Sequence, residues 1–528
     1  MSAPQRNLTI ADVLTLVKTF DLAKARGTFG TIFLGHEALA RSFQSKSEKQ
    51  QAYDVARFNK VIAKGDIHQK LLGASVLQLM SADYALLPRV SKWLREPSAG
   101  LTLEQFYHAW HGFMAVPFDR AEHFSALQRA KLDYHSRSIY RVLYDRARAA
   151  FAGVASTLST TQGSEERARV AICLTQFLGR RHAPTAAALS MADTLVGMGH
   201  SVKILNQSLT PRRTASGFYC PAVAPKMTDL DTVSRIAIPS GHAQFWQSKI
   251  DSIDEDAFSG FCAELNSFAP THLISLGPGN LYADVAGRCI PHIAMPTTSM
   301  ISIGEPGAFA TVKPVQQPQA RLVSRLGIQP ERIINIPSGF ERPELGDPVA
   351  RQEYGVEDGA YAVAVISNRM TLELSSLFLK KLELCLAENP RIKVIFFGAP
   401  SACSHALQQR IYDHRQMEFV GFSRDLFSSL KTFDAVLNPP RAGGGTSAAY
   451  AMAHGLNLFT VPDCDVATVA GPGFTFPDLD AVFSALAAAS SDPKSQQRAH
   501  TKALARWEKL ADREGPVQLL LDHARRAA

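Results

Sequence analysis

Short apolar runs alternate with helical stretches over the C-terminal two thirds of the chain, and this alternation constrains the fold more than any other feature. Val170–Leu174 is a continuous apolar run, Pro184–Val196 has helical spacing, and Ser201–Leu205 is a second run that follows a glycine-bearing turn. A strand, a helix and a strand in this order predict a βαβ unit, whose strands are parallel and covered on both faces. Further runs at 271–276 and 290–295 extend this first α/β lobe.

A second set of apolar runs follows the turn-rich segment at 336–343. These runs are Tyr361–Ile366, Lys393–Phe397, Glu418–Val420, Ala435–Leu437 and Leu458–Val461. We therefore expect an α/β protein with two facing, doubly wound, Rossmann-like lobes, at 166–343 and 344–528. Since open parallel sheets bind ligands beyond the carboxyl ends of their strands, a ligand cleft is expected between the lobes.

The first 165 residues predict an all-helical domain ahead of the two lobes. Apolar positions recur there at helical spacing, and Thr102 with Gln105 has the spacing of a capping box. The aromatic and histidine side chains at 106–113 are interpreted as core packing. A stretch rich in Gly, Ser and Thr at 153–166 is expected to link this domain to the first lobe.

Positive charge is concentrated in this N-terminal part. The chain of 528 residues has a formal net charge of +8, and its first 150 residues contain 21 Lys and Arg against 13 Asp and Glu. Either the domain contacts an acidic partner, such as a protein, a lipid headgroup layer or a nucleic acid, or it has a solvated Arg-rich surface. Nucleic acid is not expected, because the sequence has no recognition module for it.

Composition excludes several classes of protein. With 46% hydrophobic and 20% charged residues, the chain is neither disordered nor fibrous. Seven scattered cysteines form no C-x-x-C pair, so we expect reduced thiols rather than a zinc site. The N-terminus has no signal-peptide pattern, and no run of about 18 apolar residues occurs. We therefore expect a cytoplasmic protein without a transmembrane segment and without a bound metal.

The most informative motif places three consecutive glycines between a strand and a helix. Its candidate ligand-binding residues are Asn438, Arg441, Gly443, Gly444, Gly445, Thr446 and Ser447. Glycines let the backbone approach an anion closely, and the amides at a helix N-terminus have partial positive charge. The two hydroxyls add donors, and the arginine adds a forked cation. We interpret the segment as a phosphate site, and the alternative is a tight turn without ligand.

Other loops at strand ends are candidates for the same cleft. Arg369 follows the first strand of the second lobe, where a diphosphate would need a cation, although a solvent-facing arginine is the alternative. His182 precedes a helix in the first lobe, and its imidazole titrates near neutrality, so it is a candidate general base. The alternative for His182 is a hydrogen-bonded loop residue. The loop 277–280 either lines the cleft or is a plain connection, and the loop 463–466 either meets a sugar hydroxyl or is only a lid.

These motifs resemble those of the GT-B glycosyltransferases. The resemblance rests on Ser367–Arg369, on Gly421–Ser423 and on the segment from Asn438 to Ser447, and it covers roughly 167–528. In that family the second lobe holds a nucleotide-sugar donor, the first lobe holds the acceptor, and no metal is required. The stretch 495–526 is similar to the terminal helix that crosses back to the first lobe in such enzymes.

The helical domain ahead of the lobes is similar in layout to that of bacterial cytoplasmic enzymes that glucosylate asparagines of adhesins. This resemblance implies that Tyr450, which stands where those enzymes have an acidic residue, belongs to the donor site. It also places their donor-binding lysine near Glu373 of this chain.

The sequence therefore predicts a glycosyltransferase of the hexosyltransferase type. It would move a sugar from a nucleotide-sugar donor, with UDP as the expected carrier, to a protein or glycan acceptor that the basic helical domain recruits. His182 and Arg369 would be the catalytic residues, without a metal or a covalently bound cofactor. Two alternatives remain: a nucleotide-sugar 2-epimerase, which would need several carboxylates in the cleft, and a catalytically silent partner or chaperone of a glycosylation system.

Overall fold

The computed structural model begins with a helical region. It describes residues 9–19, 36–81, 83–96, 100–119, 124–159, 167–180, 182–209, 226–250, 252–297, 301–312, 315, 319–347, 349–399, 403–441, 443–462 and 464–527. The helices of this region are α1 (Ile10–Lys18), α2 (His36–Gln44), α3 (Glu48–Lys64), α4 (Ile67–Ser81), α5 (Leu87–Arg95), α6 (Leu103–Asp119), α7 (Ala126–Ala150) and α8 (Ala152–Ala155). The capping box predicted at the start of α6 is confirmed, because Thr102 and Gln105 each accept a hydrogen bond from the other's amide.

The first lobe contains an eight-stranded sheet. Its strands are β1 (Arg169–Leu174), β2 (Ser201–Asn206), β3 (Arg235–Ile238), β4 (Gly241–Gln247), β5 (His272–Leu276), β6 (His292–Met295), β7 (Ala308–Thr311) and β8 (Ile333–Asn335). Its helices are α9 (Ala183–Gly197), α10 (Glu255–Phe268), α11 (Leu281–Ala286) and α12 (Gln319–Arg325). The strand order is β3-β4-β2-β1-β5-β6-β7-β8. Because the order reverses between β1 and β5, the loops after these two strands leave the sheet at a topological switch point.

This sheet is larger than the sequence predicts and is not purely parallel. The four predicted runs correspond to β1, β2, β5 and β6, whereas β3, β4, β7 and β8 are additional. The strands β3 and β4 pair antiparallel at the edge; every second residue of β4 is buried from Ala243 onward, and only Ile238 of β3 is buried. The strands β7 and β8 have only four and three residues. Neither pair therefore has the long apolar run that indicates a central parallel strand.

The second lobe contains a five-stranded parallel sheet, and its five strands lie at the predicted places. They are β9 (Tyr361–Ile366), β10 (Ile392–Phe397), β11 (Met417–Gly421), β12 (Ala435–Leu437) and β13 (Asn457–Phe459). The helices are α13 (Met370–Glu373), α14 (Ser376–Glu388), α15 (His405–Tyr412), α16 (Leu426–Leu430), α17 (Gly445–Ala453), α18 (Asp465–Ala470), α19 (Leu479–Ser491), α20 (Pro493–Leu510) and α21 (Glu514–Ala527). The order β11-β10-β9-β12-β13 has its switch point between β9 and β12.

The helical region shares one hydrophobic core with the first lobe. Phe151 stacks on Phe258 of α10 with ring centroids 4.7 Å apart. Tyr107, which is fully buried with Trp110, donates a hydrogen bond to the carbonyl of Gly279 at 3.0 Å. The interpretation of the aromatic segment as core packing is thus confirmed. Because one core spans both parts, the division at 165/166 remains a proposal, as does that at 343/344.

The last two helices connect the lobes. Trp507 of α20 lies in the core of the second lobe, whereas Val517 and Leu520 of α21 lie in the core of the first. Between these helices, Arg513 donates a hydrogen bond to Asp193 of α9 at 2.7 Å. The chain therefore crosses back to the first lobe at its end.

A buried carboxylate makes the contact between the helical region and the first lobe sensitive to pH. Tyr140 of α7 donates a hydrogen bond of 2.5 Å to Asp284 of α11, and His292 lies 3.6 Å from the same carboxyl group. Burial raises the pKa of Asp284 to about 8, whereas burial lowers the pKa of His292 to about 3. Folded protein therefore retains the Asp284 proton at neutral pH while the unfolded chain releases it. Stability from this group is present below about pH 4 and is lost as the pH rises to 8.

We expect Asp284→Asn to remove the loss of stability that Asp284 causes as the pH rises. Asparagine has the size of the protonated acid and cannot ionise, so the melting temperature of the variant should fall less between pH 5 and 8 than that of the wild type. Each pKa unit corresponds to about 1.4 kcal/mol, so scanning calorimetry at several pH values can resolve the difference. Asp256→Asn, which removes an exposed carboxylate of α10, is the control. Parallel plots of melting temperature against pH for wild type and Asp284→Asn would contradict the raised pKa of Asp284.

Candidate functional site

Two loops meet at the switch point of the second sheet. One follows β9 and contains Ser367 and Arg369, and the other follows β12 and contains Asn438 and Arg441. A hydrogen-bonded ion pair of 2.9 Å between Arg441 and Glu373 joins the two loops. The structure therefore brings together the two segments that the sequence singled out separately.

The glycine turn after β12 has a backbone that only glycine adopts easily. Gly443 and Gly444 both have φ of +88°, and α17 begins at the next residue. The amide of Gly443 donates to the carboxylate of Asp465 at 2.6 Å, which holds the turn against the start of α18. The first-turn amides of α17 have no acceptor within the helix, so they can bind an anion at its N-terminus.

Arg441 is held against this turn by two side chains. Its Nε donates to Asn438 at 2.8 Å, and its Nη1 donates to Glu373 at 2.9 Å. Its Nη2 lies beside Gly444, since a Cβ added at that glycine would approach this nitrogen to 2.5 Å. The guanidinium therefore lies at the helix N-terminus with Nη2 on the side of the glycine turn.

Glu373 also binds the second arginine. Its Oε1 accepts a hydrogen bond from Arg369 at 2.7 Å, and its Oε2 accepts one from the Ser367 hydroxyl at 2.6 Å. The carboxylate is buried, while Arg369 is partly exposed. Arg369 is thus neither a plain solvent-facing side chain nor an unopposed cation, because it shares one carboxylate with Arg441.

The other predicted donor-binding residues have different environments. Asn438 is buried, and its amide nitrogen donates to Thr460 at 3.1 Å, so both ends of this side chain are occupied. The Ser447 hydroxyl donates to the carbonyl of Gly444 at 2.8 Å, whereas Thr446 is exposed. Tyr450 is half-buried and packs edge-on against Phe427, and burial raises the pKa of its phenol.

His182 lies at the switch point of the first sheet, in the loop after β1. Its Nδ1 is 2.9 Å from the hydroxyl of Thr185, which also accepts a hydrogen bond from the amide of Leu178. Partial burial lowers the pKa of His182 below its ordinary value of 6.5. His182 is therefore hydrogen-bonded, and among the described residues no hydrogen bond or ion pair joins it to the second lobe.

Glu373 and Asp465 are the residues of this site whose roles the sequence analysis missed. The spacing of Arg369 and Glu373, four residues apart on a helical turn, was the signal available for the first. In the loop 463–466, Asp465 braces the glycine turn, and Asp463 lies outside the described residues. Ala442 also lies outside them.

Two features are absent from the described residues. They contain no cluster of three His, Cys, Asp or Glu side chains arranged to bind a metal. In the same part of the chain, no helix is long and apolar enough to cross a bilayer.

Comparison with known proteins identifies the fold. No protein-family model matches the chain, and no curated protein matches its sequence. A mutant of the O-GlcNAc transferase of Thermobaculum terrenum matches in structure with a TM-score of 0.55 and 12% identity, covering 100% of this chain and 98% of that one. The chain has the GT-B fold. A Rickettsia africae glycosyltransferase matches with a TM-score of 0.51 and 10% identity, covering 68% of this chain and 98% of its own.

Within the GT-B fold, the match to the first structure over the whole chain includes the helical region, whereas the second covers only part of the chain. The arrangement of two facing lobes behind an N-terminal helical part is therefore that of a known architecture. Identities of 10 and 12% establish the fold alone.

We expect the Glu373 carboxylate to be essential for the stability of the second lobe. Glu373→Ala leaves the guanidinium of Arg441, which is only 8% exposed, without its carboxylate partner, so unfolding should become easier by about 3 kcal/mol. Glu383→Ala breaks the more exposed pair with Arg410 and should cost less than about 1 kcal/mol. Thermal unfolding of both variants measures the difference. Equal destabilisation by the two substitutions would show that the buried ion pairs of Glu373 contribute no more to stability than the exposed pair of Glu383.

Proposed function

We propose that this protein is a metal-independent glycosyltransferase that moves a sugar from a nucleotide-sugar donor to a protein or glycan acceptor. The observation that carries the proposal is the convergence at one switch point of a helix N-terminus, a glycine turn and two arginines. This set has the chemistry of a diphosphate site. The two guanidiniums supply cationic charge that a metal supplies in other diphosphate sites.

The donor side would act on the leaving group. When the bond between the sugar and the diphosphate breaks, negative charge develops on the diphosphate oxygens. Amides at Gly445–Ser447 and the guanidiniums of Arg369 and Arg441 would stabilise this charge in a cleft that closure keeps poor in water. Asn438, which is buried, would support Arg441 rather than touch the donor.

The acceptor side would use His182 as general base. If Nδ1 donates its proton to the Thr185 hydroxyl, Nε2 has a free lone pair that can take a proton from an acceptor hydroxyl or amide. Because the pKa of His182 is lowered, the imidazole is neutral at physiological pH and ready to accept that proton. The acceptor would be recruited by the basic helical region, and UDP remains the expected carrier of the sugar.

A second candidate function is favoured by one observation. Glu373 neutralises part of the charge of Arg369 and Arg441, as in a lobe that has lost donor binding and keeps the arginines for structure. The chain would then be a silent partner of a glycosylation system. An epimerase has less support, because the two carboxylates near the glycine turn, Glu373 and Asp465, are both engaged in hydrogen bonds.

Calorimetric titration with UDP-, GDP- and ADP-sugars tests these functions against one another. Binding with slow donor hydrolysis supports a transferase, and binding with isomerisation of the sugar supports an epimerase. Titrations without heat for all three donors would support the silent partner and refute the transferase.

Alanine substitutions at two neighbouring glycines test the proposed diphosphate site. Gly443 and Gly444 have the same φ of +88°, so both substitutions introduce similar backbone strain. Only at Gly444 would the new Cβ collide with Arg441, because no atom lies within 4 Å of a Cβ at Gly443. We expect Gly444→Ala to weaken donor binding at least tenfold and Gly443→Ala to change it less than about threefold. Equal effects in the titration would contradict the position of the site.

The pH dependence of transfer tests His182. The fraction of neutral imidazole increases with pH through its pKa, which lies below 6.5, so kcat/KM should increase on the acid side of pH 6.5 and stay level up to pH 8. His182→Ala should lower kcat by roughly 10²- to 10⁴-fold and abolish this acid limb. His405→Ala, at an exposed histidine of α15, is the control and should behave as wild type. An unchanged profile in His182→Ala would exclude the base.

A further inference from the structure

Glu373 collects hydrogen bonds from three donors on two different segments. Its two oxygens accept from Ser367 at 2.6 Å, from Arg369 at 2.7 Å and from Arg441 at 2.9 Å. The first two donors lie in the loop after β9, and the third lies in the loop after β12. With only 8% of the residue exposed, this carboxylate is in contact with the protein rather than with water.

The nitrogen of Arg441 that faces the glycine turn differs from the nitrogen that binds Glu373. Glu373 binds one nitrogen of each guanidinium, and Asn438 binds a second nitrogen of Arg441. The remaining nitrogen of Arg441 lies beside Gly444, at the N-terminus of α17. A guanidinium has five donors in a rigid fork, so fixing one edge of Arg441 aims the other edge.

The carboxylate also counteracts repulsion between the two arginines. Both guanidiniums lie within hydrogen-bonding distance of the same carboxyl group, so without it two cations would stand close together in a partly buried site. Arg441 would then keep its hydrogen bond to Asn438 but lose the one to Glu373, and both guanidiniums would be less firmly oriented. An anion arriving at the glycine turn would have to order both side chains, and that ordering costs binding free energy.

We propose that Glu373 is a positioning residue that fixes the guanidiniums of Arg369 and Arg441 in the orientation that binds the diphosphate of the donor. Glu373 does not touch the donor and acts through the two arginines. This inference rests on the proposed function, because it assigns the anion at the glycine turn to a nucleoside diphosphate.

A role of Glu373 as a competitor of the anion predicts the opposite effect on anion binding. If Glu373 were only an internal competitor for the arginines, its removal would free them and tighten the binding of an anion. As a positioning residue, its removal weakens that binding although the site becomes more positive. Glu373→Gln separates the two cases, because it keeps the size of the side chain but loses the charge that holds two guanidiniums. Alanine is less suitable, since we expect it to destabilise the lobe.

The experiment measures UDP and uridine binding to the full-length protein by calorimetry and by ligand-observed NMR. We expect Glu373→Gln to weaken UDP binding at least tenfold and to leave uridine binding within about twofold, because uridine has no phosphate for the arginines. Glu373→Asp, which retains the charge on a shorter stem, should recover part of the UDP affinity. Glu383→Gln, at the more exposed pair with Arg410, should bind both ligands as wild type does.

The outcomes separate this inference from the proposed function. Unchanged or tighter UDP binding by Glu373→Gln would overturn the positioning role while leaving the proposed function in place. Loss of both UDP and uridine binding in Glu373→Gln and in Glu373→Asp would also overturn it, since it would indicate a purely structural role. A wild-type protein that binds no nucleoside diphosphate would refute the proposed function, and the inference with it.

Discussion

A buried carboxylate shared by two arginines fixes the arrangement of the loops at the switch point of the second sheet. Among the described residues, no backbone hydrogen bond joins the loop after β9 to the loop after β12, so side chains must fix their relative position. Glu373 does this between the loop after β9 and the loop after β12, and Asp465 does it between the glycine turn and α18. The geometry of the proposed anion site therefore depends on two carboxylates that would not contact the ligand themselves.

The first lobe is stabilised in another way, through the helical region. The loop after β5 is held by Tyr107, whose hydroxyl binds the carbonyl of Gly279, and by Trp110, which fills the space where a side chain at Gly279 would stand. One hydrophobic core continues from the helical region into the first lobe around this contact, so the helical region packs as part of that lobe. The helical region is therefore held in a fixed relation to the edge of the first sheet that contains His182.

The sequence predicted the parts of the fold that depend on local pattern. All five strands of the second sheet, the central strands of the first and the helical region follow from apolar periodicity. The edge pair β3 and β4 and the short β7 and β8 could not be predicted, because tertiary contacts rather than local runs determine them. In the candidate site, the glycine turn and the two arginines were recognisable by residue type. Their shared partner was not, since the contact of Glu373 with Arg441 spans 68 positions of the chain.

A carboxylate lowers the positive charge of the proposed anion site, so its presence there needs a physical reason. Two arginines and two carboxylates, Glu373 and Asp465, leave no net side-chain charge at the glycine turn, and the helix N-terminus adds roughly half a positive unit. That field attracts a diphosphate less strongly than two unpaired arginines would. Catalysis, however, depends on binding the transition state more tightly than the donor. In the transition state, additional negative charge develops on the diphosphate as its bond to the sugar breaks. Hydrogen-bond donors that are already oriented reorganise little when the bond between sugar and diphosphate breaks. An arginine oriented by Glu373 would therefore stabilise the transition state better than a stronger but mobile cation.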